Sequence, residues 1–222
     1  MTLADRLRAV QAGVADAARQ AQRDPAGITI IVVTKFHPAG VVRELHALGV
    51  RDFGENRHQE ARAKAAELAD LELNWHFVGQ LQSNKARQAR AYASVIHSVD
   101  RISLIAALQS DTATVDCFIQ VALADEQTRG GARMDNLAVL AERVRATHGL
   151  RLLGVMGVAP LDTEPRRAFA RLQAASQRVS VIDPAATFIS AGMSGDYREA
   201  ILEGATHLRI GTAITGIRPT HG

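Results

Sequence analysis

The sequence predicts an α/β fold, a (β/α)8 TIM barrel with an extra helix at its N-terminus. Short apolar runs of strand character recur along the chain, and a longer stretch with helical periodicity follows each of them, which is the pattern of repeated βα units. Eight such runs are present, the number of strands that closes a parallel barrel. The length of 222 residues suits one domain of this kind, so we expect a single domain over residues 1–222.

The elements begin with a helix over residues 3–22. Strands are expected at residues 29–34, 52–54, 75–79, 95–98, 116–122, 152–156, 187–190 and 207–210. The helices between them should bury one face, as over residues 39–48 and 136–147, where Val and Leu recur at helical spacing. The alternative is an open doubly wound sheet, but no Gly-rich dinucleotide loop follows the first strand. A barrel is favoured, and its site would lie at the carboxyl ends of the strands.

Composition excludes several classes of protein. No signal peptide and no apolar run of membrane-spanning length are present, which predicts a cytoplasmic protein. The net charge is only +3 and the arginines are scattered over helical faces without interleaved aromatics, so nucleic acid is not an expected partner. The eight histidines lack metal-site spacing, and no metal is expected. His76 is interpreted as a hydrogen-bonded core histidine, and Cys117 as a buried, inert thiol.

Lys35 is the first candidate site residue. It closes the apolar run of the first predicted strand, and only two other lysines, Lys64 and Lys85, occur among the 26 basic residues. Unlike arginine, lysine loses its proton readily on desolvation, and the neutral amine can form a Schiff base with a carbonyl. The alternative is a lysine at a strand end that extends into solvent.

A phosphate site is predicted from the ends of the seventh and eighth strands. Helical character resumes near Gly195, which makes Ser194 an expected N-cap beside free helix amides. After the eighth strand, Gly211 lets the backbone approach a ligand, and Thr212 adds a hydroxyl. Loops at these two positions form the usual phosphate site of a TIM barrel. Capping alone is the alternative explanation for Ser194.

Three further residues have open alternatives. Asn56 follows the second strand and is interpreted either as a ligand contact or as a turn or cap residue. Asn84, after the third strand, is interpreted as a helix cap. Arg209 lies within the eighth strand between two apolar residues, so it either serves the site or pairs with a carboxylate at the barrel rim.

Together these residues resemble the pyridoxal phosphate homeostasis protein family. The resemblance rests on five ordered motifs: Val33-Thr34-Lys35; Gly54-Glu55-Asn56 with Gln59-Glu60; His76-Phe77-Val78-Gly79-x-Leu81-Gln82-x-Asn84-Lys85; Gly192-Met193-Ser194-x-Asp196; and Arg209-Ile210-Gly211-Thr212-Ala213-Ile214-x-Gly216-x-Arg218. They span most of the chain. The resemblance implies a barrel like the N-terminal domain of alanine racemase, the type III fold of pyridoxal phosphate (PLP) proteins.

The resemblance also implies a cofactor and its contacts. PLP would be a Schiff base on Lys35, with Ser194, Gly211 and Thr212 at its phosphate, the Met193 backbone nearby, and Asn56 lining the cofactor. Arg209 would lie opposite the pyridine nitrogen. Because arginine only donates hydrogen bonds, that nitrogen would stay unprotonated and the ring would be a poorer electron sink.

The sequence departs from the family pattern at four positions. Gly157 stands where a threonine is usual, Ala122 where an asparagine is, Arg129 where a lysine is, and Thr215 where an aromatic is common. None of these changes touches Lys35 or the predicted phosphate contacts. They do cast doubt on any function that needs a second lysine or a polar group after the sixth strand.

Two classes of function remain: a PLP binder in intracellular PLP homeostasis, without efficient turnover, or a small PLP-dependent racemase or decarboxylase. Racemisation needs an acid/base group on each face of the substrate carbon. Tyr92 and Tyr197 do not lie at obvious strand ends, and no second domain supplies such a group. A non-catalytic carrier is favoured, with PLP-dependent apo-enzymes as possible recipients and a monomer as the expected state.

Overall fold

A computed structural model describes residues 1–124 and 130–216. Its strands form a closed barrel in which each is parallel to its neighbours in chain order, and the last pairs with the first. The strands are β1 Thr29–Val33, β2 Asp52–Glu55, β3 Asn74–Phe77, β4 Val95–Val99, β5 Val115–Gln120, β6 Leu150–Met156, β7 Phe188–Ser190 and β8 His207–Ile210. The predicted (β/α)8 barrel is confirmed.

Helices surround the barrel. Within the described ranges they are α1 Leu3–Gln20, α2 Ala39–Ala47, α3 His58–Glu67, α4 Ala86–Arg90, α5 Ile102–Ala107, α6 Leu137–Arg145, α7 Pro165–Ile182, α8 Tyr197–Leu202 and α9 Thr212–Thr215. The three helices expected at residues 3–22, 39–48 and 136–147 are present, each slightly shorter than expected. None of the helices in these ranges is long and apolar enough to cross a membrane.

The extra helix α1 begins at a capping box. The Thr2 side chain accepts a hydrogen bond from the Asp5 amide, and the Asp5 carboxylate accepts one from the Thr2 amide, which satisfies two helix-end donors at once. Its apolar face repeats at Leu3, Leu7 and Val10 and continues along the helix, and it packs against α8 and α9. The helix therefore lies beside the elements that follow β7 and β8.

Each strand presents one side to the helices and one to the barrel interior. Outward side chains such as Val32, Phe53 and Cys117 belong to the main hydrophobic core. Burial raises the pKa of the Cys117 thiol to about 12, so the buried, inert thiol is confirmed. A hydrogen bond between His97 on β4 and Ser190 on β7 joins opposite sides of the barrel and must cross its interior. The interior of this barrel is therefore partly polar.

The third strand ends earlier than expected, at Phe77 rather than at residue 79. A Cβ atom at Gly79 would lie 2.0 Å from the Asn56 carbonyl oxygen, so only glycine fits where the chain leaves β3. This close approach brings the chain after β3 against the residue that follows β2. Asn84 lies inside the 3-10 turn Ser83–Lys85, and α4 has Lys85 at its N-cap position. The interpretation of Asn84 as a helix cap is wrong.

Candidate functional site

Lys35 and Asn56 emerge side by side at the carboxyl ends of β1 and β2. Val33 pairs with Gly54 in the parallel ladder, and the Thr34 amide donates to the Gly54 carbonyl oxygen at 3.0 Å. Lys35 and Asn56 each lie two residues beyond that pair, and both side chains are exposed. The register places them at one level of the barrel mouth. Because side chains alternate along a strand, Lys35 and Asn56 are expected on the same inward side as Val33 and Gly54.

The chain segments that follow β7 and β8 meet at two hydroxyl groups. The Thr212 hydroxyl donates to Ser194 Oγ at 3.3 Å, and the Ala213 amide donates to the same oxygen at 3.2 Å. Gly211 lies beside β1, because a Cβ atom there would be 3.6 Å from the Val33 carbonyl oxygen. The three residues predicted for a phosphate site are thus brought together, next to the strand that carries Lys35.

Ser194 reaches this position for a different reason from the one expected. Helix α8 begins at Tyr197 with Asp196 at its N-cap position, so the interpretation of Ser194 as a helix N-cap is wrong. Gly192 has a φ of +88°, which turns the chain sharply after β7. The Met193 amide donates to the Asp196 carboxylate at 2.6 Å. Because of this turn, α8 begins only at Tyr197, and Ser194 faces α9. The Met193 amide is bonded to Asp196 in this structure.

Arg209 is buried below the mouth. It is 5% exposed, and it pairs in the ladder with Ile31, one inward step below Val33 and Gly211. Its guanidinium donates to Ser190 Oγ at 2.6 Å and to the Gly157 carbonyl oxygen at 2.9 Å. Burial lowers the pKa of Arg209 to about 10. Within the described residues these hydrogen bonds go to neutral oxygens, so the alternative of direct pairing with a rim carboxylate is wrong.

A chain of hydrogen bonds continues from Arg209 through the barrel interior, and we call it the interior chain. Ser190 Oγ lies 2.9 Å from His97 Nδ1, His97 Nε2 lies 3.0 Å from His76 Nδ1, and His76 Nε2 lies 3.0 Å from Asp52 Oδ1. Asp52 is at the start of β2, so the chain ends at the opposite end of the barrel from the mouth. The predicted hydrogen-bonded core histidine, His76, is confirmed.

The direction of the interior chain follows from its two ends. Arg209 can only donate, so Ser190 Oγ accepts from it and has its own hydrogen left for His97 Nδ1. A carboxylate can only accept, so His76 Nε2 carries a hydrogen toward Asp52. With both rings neutral, His97 Nε2 then donates to His76 Nδ1. Burial lowers the pKa of His97 well below its usual value, consistent with a neutral ring.

Sequence reasoning also missed a compact ion cluster on the outer side of β1 and β2, formed by Glu55, Glu60 and Lys64 and called here the outer cluster. Lys64 Nζ lies 2.7 Å from Glu55 Oε1 and 2.9 Å from Glu60 Oε1, and it donates to the Thr34 carbonyl oxygen at 2.7 Å. Burial raises the pKa of Glu55, although Lys64 opposes the shift. One signal was available in the sequence: Glu60 and Lys64 have the i, i+4 spacing of a helical ion pair.

The outer cluster decides which lysine is available at the mouth. The Lys64 side chain is 7% exposed and engages three oxygens, and Lys85 sits at the N-cap position of α4, outside the barrel. Lys35 is the lysine that directly follows a barrel strand. One cleft of 710 Å³ lies between α3 and α4. A second of the same volume runs from Asn56 along the residues that follow β2 and β3, and a smaller cavity of 220 Å³ opens beside Asn56 at the ends of β3, β5 and β6. The position of Lys35 after β1 makes the mouth the candidate site.

Three of the four departures from the family pattern have a structural setting. The Thr215 hydroxyl donates to the Gly211 carbonyl oxygen at 3.2 Å. A Cβ atom at Gly157 would lie 2.7 Å from Leu123 Cδ1, so leucine packing occupies the space that a larger residue needs. The Ala122 amide donates to the Ala132 carbonyl oxygen, a bond that does not depend on its side chain. Arg129, and Arg218 from the last motif, lie outside the described residues.

The class of protein follows from the first comparison. The profile of the family Alanine racemase, N-terminal domain, matches residues 6–219. Alanine racemase from Corynebacterium glutamicum has a TM-score of 0.71 with this chain at 15% identity, over 97% of this chain and 63% of that one. This likeness shows a shared barrel fold.

Two relatives refine the class. A pyridoxal phosphate homeostasis protein of Pseudomonas aeruginosa is 42% identical over 225 residues, which cover 98% of this chain and 96% of that protein. PipY of Synechococcus elongatus PCC7942, solved with PLP bound, is 34% identical with a TM-score of 0.83, over 97% of this chain and all of that one. The chain belongs to the pyridoxal phosphate homeostasis protein family, as its motifs had indicated.

Proposed function

We propose that this chain binds PLP as a Schiff base on Lys35 and serves PLP homeostasis in the cytoplasm as a monomeric, single-domain carrier without efficient turnover. The observation that carries the proposal is that an exposed lysine after β1 and the hydrogen-bonded Ser194 and Thr212 hydroxyls after β7 and β8 lie at the same end of the barrel, where β1 and β8 are neighbours. Lys35 would hold PLP through its amine, and PLP would supply the aldehyde for that linkage, whose oxygen would leave as water.

The residues at the mouth fit this cofactor. Ser194 and Thr212 present hydroxyl groups for a phosphate, and Gly211 leaves open space beside them, since the nearest atom to a Cβ there would be 3.6 Å away. Asn56 lines the mouth beside Lys35, and the Met193 backbone borders the phosphate contacts. Arg209, held from below by Ser190 and Gly157, would face the pyridine nitrogen.

The positions of the two tyrosines favour a carrier over a racemase. The Tyr92 hydroxyl lies 3.3 Å from His58 Nδ1, next to α3. The Tyr197 hydroxyl rests against α1, because a Cβ atom at Gly13 would lie 2.3 Å from it. Both hydroxyls are therefore outside the barrel, and neither offers an acid/base group at the mouth. Arg209 adds to this, because a donor opposite the ring nitrogen leaves the cofactor a weak electron sink.

The absorbance spectrum of the protein, before and after addition of PLP, tests the proposal. A visible Schiff-base band is expected in the wild type and in a Lys85→Ala control, and no such band in Lys35→Ala. A wild type that stays colourless with added PLP contradicts the proposal. Incubation with a panel of amino acids then separates the two classes, because multiple turnovers by racemisation or decarboxylation would establish the enzyme alternative.

The phosphate contacts have their own test. Ser194→Ala with Thr212→Val should speed the loss of PLP on dialysis while the unfolding temperature stays close to that of the wild type, since both side chains lie at the surface of the mouth. Ser103→Ala, a change on the exposed side of α5, is the matched control. PLP retention equal to that of the control would place the phosphate elsewhere.

A further inference from the structure

The two peptide groups that flank Lys35 are both hydrogen-bonded to the outer cluster. The Thr34 carbonyl oxygen accepts a hydrogen bond from Lys64 Nζ at 2.7 Å, and the Phe36 amide donates to Glu60 Oε1 at 2.5 Å. Lys64 Nζ and Glu60 Oε1 are themselves 2.9 Å apart. One ion pair therefore holds the backbone on both sides of Lys35.

The backbone at this point needs such support. Phe36 has a φ of +67°, in the left-handed region that is unfavourable for a bulky residue. Such a conformation persists only where the surroundings hold it. The His37 amide closes the turn on the Thr34 carbonyl oxygen at 3.0 Å, and the Arg57 guanidinium lies over the Phe36 ring, 4.9 Å from its centre. The turn over residues 34–37 fixes the direction in which Lys35 leaves β1.

The outer cluster also accounts for a lysine at position 64 in a chain that otherwise uses arginine. An ammonium has three donors on one atom, and Lys64 Nζ meets three oxygens: Thr34 O, Glu55 Oε1 and Glu60 Oε1. A guanidinium presents its donors in a planar fork, which does not match three oxygens converging on one point. Thr34 completes the set, because its hydroxyl donates to Glu55 Oε1 at 2.7 Å.

We propose that Lys64 and Glu60, supported by Glu55, are positioning residues that hold the turn over residues 34–37 and so direct Lys35 into the barrel mouth. The part that concerns the cofactor rests on the proposed function. The part that concerns the turn does not, because it is a property of the protein without cofactor.

Amide hydrogen exchange in the cofactor-free protein tests the turn. Loss of a charge-assisted hydrogen bond should speed exchange of the Phe36 amide roughly tenfold or more in Glu60→Ala, Lys64→Met and Lys64→Arg. Glu67→Ala, the same type of change on an exposed part of α3, should leave that amide at the wild-type rate. Glu60 is partly exposed, so this variant decides the test if the Lys64 variants do not fold. Unchanged exchange in Glu60→Ala overturns the proposal.

The rate of Schiff-base formation tests the effect on Lys35. Lys64→Arg should form the absorbance band with PLP roughly tenfold more slowly than the wild type, while binding pyridoxine 5'-phosphate, which has no aldehyde, with unchanged affinity. Equal rates in the two proteins overturn the positioning role. If the wild type forms no band at all, the proposed function fails, and the exchange of Phe36 still decides whether the outer cluster holds the turn.

Discussion

The interior chain and the outer cluster are two buried polar networks, one inside the barrel and one on its outer side. They satisfy their polar groups in different ways. The interior chain places two histidines and a serine between its charged ends, Arg209 and Asp52. The outer cluster brings one ammonium and two carboxylates into direct contact. The interior chain holds the Arg209 guanidinium below the mouth, whereas the outer cluster holds the backbone on both sides of Lys35.

The difference teaches where each network is vulnerable. Every ring nitrogen and hydroxyl of the interior chain has a hydrogen-bond partner. A substitution there therefore destabilises the fold by leaving the neighbours of the removed group without that partner. In the outer cluster, Glu55 is 1% exposed and its Oε2 lacks a hydrogen-bond partner among the described residues. Removing the one cation there would leave buried negative charge uncompensated. Substitutions in the two networks should therefore lower the free energy of unfolding by different amounts.

The largest effect is expected from Lys64→Met. Breaking a buried ion pair from one side typically costs about 3–5 kcal/mol, and this loss should appear as a lower free energy of unfolding in urea. The double variant Glu55→Gln with Lys64→Met removes the buried carboxylate as well and should recover much of that loss. A double variant no more stable than Lys64→Met would show that charge is not what makes the outer cluster vulnerable.

Acidification should change the stability contributed by the two regions in opposite directions. Burial lowers the pKa of His207, beside the interior chain, to about 4, so the unfolded state gains a proton first as pH falls. That costs roughly 2 kcal/mol of stability between pH 7 and pH 5, and His97 acts in the same direction. Glu55 acts in the opposite direction, because a raised pKa makes the folded state bind its proton more tightly.

Urea unfolding at pH 7, 6 and 5 measures this response. His207 packs against the rings of Phe118 and Phe188, which makes His207→Phe a conservative control. This variant should lose less stability between pH 7 and pH 5 than the wild type, and Glu55→Gln should lose more. Parallel pH profiles for all three proteins would contradict the assignment.

Two buried serines, Ser190 and Ser98, allow a matched comparison in which an effect of intermediate size is expected from one of them. Ser190 Oγ accepts from Arg209 and bonds His97, so Ser190→Ala should cost about 1–3 kcal/mol in unfolding free energy by leaving partners unsatisfied. Ser98 is equally buried, but its Oγ has no hydrogen-bond partner among the described residues. Ser98→Ala should be close to neutral. Equal losses in the two variants would deny the interior chain any role beyond packing.

The smallest effect is expected at the far end of the interior chain. Asn retains an oxygen that can accept from His76, and the Asp52 side chain is 27% exposed, so Asp52→Asn should cost no more than about 1 kcal/mol. Urea unfolding at pH 7 measures it. A loss as large as that of Ser190→Ala would show that the Asp52 charge acts over the whole length of the interior chain.

The sequence predicted the barrel and its strands because apolar runs and helical periodicity are local signals. Strand ends were less certain: β3 stops at Phe77, and Gly79 beyond it approaches the Asn56 backbone closely, a contact that no local pattern reveals. Ser194 was expected to be a helix N-cap and is not, since Asp196 and Gly192 shape a turn before the helix begins.

The two polar networks could not be predicted in the same way. His97 and Ser190 are 93 residues apart and meet only because the barrel closes. Lys64 and Thr34 meet because α3 packs against β2, the strand next to β1. In both cases the signal in the sequence was a polar residue in a buried place. Its partner depended on tertiary structure.

The most direct test of the central claim is to reduce the PLP-loaded protein with borohydride and to map the modified lysine by peptide mass spectrometry. Reduction fixes the cofactor on whichever amine holds it. We predict that the phosphopyridoxyl group is on Lys35, with Lys64 and Lys85 unmodified. Modification of Lys85 or Lys64 in place of Lys35, or no modification of any lysine, would contradict the account.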